Sequence, residues 1–72
     1  MPRKELEALA AFTTEAQRRI RSIENTKDWE MVQWWALGAP EYKRLPDGSV
    51  ADLLAQLEAK RVEVLRKSGA LQ

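Results

Sequence analysis

Eleven Asp/Glu and twelve Lys/Arg carry the side-chain charge of this chain at neutral pH, and its 72 residues include no histidine and no cysteine. Without those two types it lacks the usual nucleophile and the usual base that titrates near neutrality. Zinc sites built on Cys or His are excluded, and a carboxylate-only site would suit magnesium or calcium, but no ligand spacing is present. Asp28 and Glu30 lie two apart, so a helix points them away from each other. No glycine-rich phosphate loop occurs. No catalytic residue, cofactor site or metal ligand is therefore assigned, and the chain is expected not to be an enzyme.

The basic side chains offer two candidates. Arg18, Arg19 and Arg21 form the one dense cluster, and Arg18 and Arg21 share a helical stripe with Ser22 and Asn25 that could touch phosphates. Glu15 and Glu24 flank it, however, and Glu15 stands four residues before Arg19, the spacing of a helical ion pair. The net charge is only +1, whereas nucleic-acid domains usually read far more basic. A solvated helix face is the preferred reading, and a nucleic-acid contact through these arginines the weaker one. Arg61 is the second candidate. It falls between Leu57 and Val64/Leu65, in the middle of an apolar arc. Either its stem packs while its head snorkels or stacks on a tryptophan, or it pairs with a carboxylate of a partner.

The densest signal is apolar. Trp29, Trp34 and Trp35 sit within seven residues, together with Met31 and Val32. On a helix these side chains cover more than half the circumference, too much for one packed face to hide. Either the helix is a central one wrapped by the other elements, or one flank packs inward and the other meets a partner or a second copy; tryptophan is the type most enriched at binding hot spots, which supports the second. Trp35, nearer the centre of the arc, is assigned to the core and Trp34 to the partner side. The partner-binding candidates are Trp29, Met31, Trp34 and Arg61.

Helices must position these residues. The chain is rich in Ala, Leu, Glu, Arg and Lys, and its β-branched residues never alternate, so an all-α fold of three or four helices in one domain is expected. Leu6, Leu9, Ala16, Ile20 and Ile23 form one stripe over about residues 3–25, with Thr13 in its gap. A break at Thr13-Thr14 is slightly favoured, because Thr14 with Gln17 resembles a capping box. Asn25 to Asp28 reads as a turn, with Asp28 capping a tryptophan helix over 28–37 that Gly38 ends. Glu41 to Gly48 reads as a connector with a Pro-Asp-Gly turn. Ser49 then caps a last helix over 50–68, with Val50, Leu53, Leu54, Leu57, Val64 and Leu65 on its buried face and Gly69 as its stop. A helix-turn-helix reading of residues 14–37 fails, since its recognition helix would be too apolar for a groove.

A chain this short buries only roughly 60% of its unfolded surface and needs a staple. Disulfides and Cys/His metal sites being excluded, a second copy or another protein is the expected one. No segment reaches the roughly 18 apolar residues of a membrane span, and the first residues do not read as a signal peptide. A cytoplasmic protein without membrane contacts is the expectation.

From Trp34 onward, over residues 34–69, a spaced series appears: Trp35, Pro40, Leu45, Gly48, Ser49, Asp52-Leu53-Leu54, Val62, Leu65 and Gly69. It resembles the toxin-binding C-terminal domain of Xre/ParS-type antitoxins, over about half the chain. The departures are Val50 where that family prefers proline, Pro46-Asp47 where it has paired glycines, and Pro40 about one residue out of register. The resemblance implies a helical protein that binds and blocks a cognate toxin enzyme. The residues before it are too few for that family's DNA-binding domain. The expected function is a non-enzymatic protein–protein interaction module: an inhibitor, antitoxin-like regulator or adaptor. The alternative is a self-assembling structural subunit, for example of phage type.

Overall fold

A computed structural model describes residues 2–69. Among them the chain forms α1 (Arg3–Arg21), α2 (Thr26–Gly38), a short 3-10 helix (Pro40–Arg44) and α3 (Asp47–Lys67), with no strand. The all-α expectation holds; several boundaries move for local reasons.

α1 runs unbroken through Thr13-Thr14. The Thr13 hydroxyl donates to the Leu9 carbonyl one turn back, 2.9 Å away, so it is satisfied inside the helix and has no need to cap a new one. Glu15, inside the same helix, is taken up by Arg18 and Arg19. α1 ends at Arg21, short of Asn25. Ser22 closes it, its N–H reaching the Arg18 and Arg19 carbonyls and its hydroxyl the Arg19 carbonyl. Ile23, already outside the helix, is still buried.

The cap of α2 is Asn25, not Asp28. The Asn25 side chain accepts from the Asp28 N–H at 2.8 Å, and the Asp28 carboxylate reaches back to the Glu24 N–H at 3.3 Å, a variant of the reciprocal capping box. Lys27 therefore lies in the first turn of a new helix and is exposed. Gly38 is the last residue of α2, and Ala39 and Leu45 are extended, as residues before proline must be. The Pro-Asp-Gly segment is not a turn but the entry to α3. Pro46 is the N-cap, its carbonyl accepts from Val50 N–H at 3.0 Å, and Asp47 places its charge in the first turn. Ser49 is consequently the third helical residue and caps nothing. At the far end Gly69 takes φ +80°, the left-handed stop a glycine reaches without steric cost.

Phe12 and Ala16 share a cleft with Ser49 and Leu53, whereas Trp29 sits with Val64 and Leu65. α1 and α3 thus run in the same direction and α2 runs back between them. The core joins Phe12, Ala16, Ile20, Ile23, Ala36, Leu53, Leu57 and Val64, with Trp29, Val32, Trp35, Tyr42 and Leu45 packed at its margin. Ala36 is wholly buried and Ala16 nearly so, which lets α2 and α1 approach closely. Two residues of the expected apolar faces, Leu6 and Leu54, are exposed. Leu6 is exposed because the packed part of α1 begins only at Leu9, and Leu54 because it sits one position round from the Leu53–Leu57 line. The body is elongated, 47 × 18 × 16 Å, with a radius of gyration of 13.3 Å where about 11 Å is usual for this length.

Candidate interaction surface

α2 divides its apolar side chains between two sides. Ala36 points into the core, and Trp29, Val32 and Trp35 pack against it. Trp34 remains 83% exposed and Met31 60% exposed, the two most exposed large apolar side chains among the described residues. Their spacing of three places them one turn apart on one face.

Trp35 is fixed from two directions. Its ring lies 5.3 Å from the Phe12 ring, tilted by 32°. The Arg19 guanidinium carbon stands 4.2 Å from its centroid, well within cation–π range. Arg19 in turn donates its Nε–H to Glu15 at 3.0 Å. Glu15 also accepts from Arg18, through Nε at 3.1 Å and through Nη2. The hydrogen bond from Arg18, with the charges of both arginines, holds the Glu15 carboxyl below the usual glutamate range despite some desolvation. The same pair holds the Arg18 guanidinium protonated above its ordinary value. Each link in this chain anchors a group that borders the Trp34 face.

Two grooves flank Trp34. One, of about 540 Å³, is walled by Arg18, Arg19, Met31, Trp34 and Trp35, with Ile23 in its floor. The other, of about 460 Å³, runs past Trp34 and Trp35 over Gly38, Ala39 and Pro40 to Glu41. Trp34 stands as the ridge between them.

The sequence-derived candidates thus fall into two groups. Met31 and Trp34 come together, joined by Arg18 and Arg19. Trp29 and Arg61 lie elsewhere, around a smaller recess with Thr26, Val64 and Leu65. There the Trp29 indole N–H donates to the Leu57 carbonyl at 2.7 Å, and the Arg61 guanidinium carbon lies 5.8 Å from the Trp29 centroid. Arg61 is half exposed and 3.9 Å from Glu58, so its head reaches water over the edge of the tryptophan. Arg21 is exposed and borders neither groove. The part of Arg19 in the tryptophan site is not evident from composition. A usable signal is its spacing: three after Ala16 and four before Ile23, it must lie at the rim of the buried stripe. Gly38 and Glu41 carry no such signal.

Among the described residues no helix is long and apolar enough to cross a membrane, and no group of three metal-ligating side chains is gathered. Compared with known proteins, the chain matches no family model, no curated protein and no solved structure.

Proposed function

We propose that the chain is a non-enzymatic protein–protein interaction module that docks through the α2 face carrying Met31 and Trp34. The observation that carries this reading is the contrast between adjacent tryptophans. Trp35 is held by Phe12 and Arg19, while Trp34 stands 83% exposed between two grooves, one bordered by Arg18 and Arg19 and the other by Glu41. Tryptophan, methionine and arginine are the types enriched at the centres of interfaces, and an indole left in water is a standing source of association energy. The resemblance to the toxin-binding domain of Xre/ParS-type antitoxins supports the narrower reading of an inhibitor that covers a partner enzyme. A cytoplasmic setting suits that role.

The test is affinity capture from native lysate with tagged chain, comparing the wild type with Trp34→Ala and Leu54→Ala. The module reading expects one stoichiometric protein with wild type and Leu54→Ala, and its loss with Trp34→Ala while circular dichroism stays helical. Equal recovery by all three chains excludes the Trp34 face.

A further inference from the structure

The Trp34 face carries both a projection and the recess to receive it. The projection is the Trp34 ring. The recess lies one turn further along α2, over Gly38, Ala39 and Pro40. Nothing inside the chain calls for glycine at 38. Its φ is not positive, and a Cβ built there meets no atom within 4 Å. The missing side chain instead leaves an open notch beside Trp34. A surface that holds a knob and its matching hole a short distance apart is self-complementary across a two-fold axis.

The charges follow the same pattern. Arg18 borders the groove at the Met31 end of α2, and Glu41 borders the groove at the Gly38 end. Glu15 engages Nε and Nη2 of Arg18, which leaves Nη1 without a partner among the described residues. Glu41 has no ion pair among them either. Arg18 and Glu41 thus border the two grooves on either side of Trp34, and antiparallel pairing of two such faces sets unlike charges against each other at both ends.

Resting on the reading of this face as a docking surface, we propose that its occupant is a second copy of this chain. Two α2 helices pair antiparallel, each Trp34 seated in the Gly38 notch of the other copy, with Arg18 and Glu41 paired twice across the axis. The pairing supplies the staple that a short chain without disulfides requires.

Sedimentation equilibrium of the full chain, from low micromolar to near-millimolar concentration, tests this. The expected result is a monomer–dimer equilibrium that Trp34→Ala weakens by about tenfold or more, as removal of a central hot spot does. Gly38→Leu weakens it comparably, with helicity retained because the new side chain meets open space. Arg18→Glu and Glu41→Arg each weaken it, and the double variant recovers it. A monomer throughout the range overturns the proposal, while the docking reading is judged separately by whether Trp34→Ala abolishes capture of a foreign protein. A dimer indifferent to Trp34→Ala and Gly38→Leu also overturns it, and so does a charge-swapped double variant no better than the single ones.

Discussion

The indole N–H of Trp29 reaches 28 residues along the chain to the carbonyl of Leu57, 2.7 Å away, and ties the first turn of α2 to the middle of α3. The carbonyl belongs to a helix and already has its own backbone donor, so the contact is an added bond and not a rescue of an orphaned group. It fixes the height at which α2 crosses α3, and with it which face of α2 turns outward. Trp29→Phe keeps the ring and removes the donor. Its expected cost is about 1 kcal/mol in urea denaturation, the net worth of one such hydrogen bond. No change in the midpoint would show that α2 is placed by packing alone.

Ala36 and Ala16 act by being small. Both are buried in the core that the three helices share. Ala36→Leu is expected to destabilise by about 1–3 kcal/mol through overpacking, although leucine is an equally good helix former. Thermal denaturation followed by circular dichroism reads this directly.

The all-α class, the inward Trp35 beside the outward Trp34 and the glycine stop of α3 were legible in the sequence because they rest on periodicity and on one backbone conformation, whereas the unbroken α1 was not, since Thr13-Thr14 read as a slightly favoured break. Nor were the starts of α2 and α3. Asn25 and Asp28 are both good caps, and only the hydrogen bond from Asp28 N–H to the Asn25 side chain decides between them. Pro46-Asp47-Gly48 suits a turn and a helix entry equally well, and in the fold Pro46 is the N-cap of α3. At the surface, Trp34 and Met31 could be named from residue type. The arginines beside them could not be joined to that site, because Arg18 and Arg19 reach it from another helix, and which helix faces meet is a tertiary outcome. Leu6 and Leu54 show the converse: correct periodicity, but no neighbour at that height.

The carboxyls of Glu15 and Glu63 are held below the usual glutamate range. Hydrogen bonds from Arg18 lower Glu15, and those from Lys60 and then Lys67 lower Glu63. A carboxyl depressed on folding contributes stability that is present above its unfolded pKa and disappears as pH falls through its folded one. Stability is expected to stay flat near neutrality and to decline below the usual glutamate range. The decline is small, because these pairs are largely exposed. Glu15→Gln with Glu63→Gln should flatten this decline, as read from denaturation midpoints across the acid range. An unchanged decline would assign it to other carboxylates.

The two neighbouring tryptophans should separate in stability. Trp34→Ala is expected to shift it by no more than about 0.5 kcal/mol, as surface substitutions do. Trp35→Ala removes the contacts with Phe12 and Arg19 and should cost about 2 kcal/mol or more. Urea denaturation of the two variants side by side decides the matter. Comparable losses would place Trp34 in the fold.

Site-specific photo-crosslinking in the native cell tests most directly whether this chain acts through its outward tryptophan. A photoreactive phenylalanine derivative replaces Trp34 in one variant and Leu54 in another. The docking reading predicts one discrete adduct from position 34, of the mass of a dimer or of a single foreign protein, and only diffuse background from position 54. A discrete adduct from position 54 with none from position 34 would contradict it.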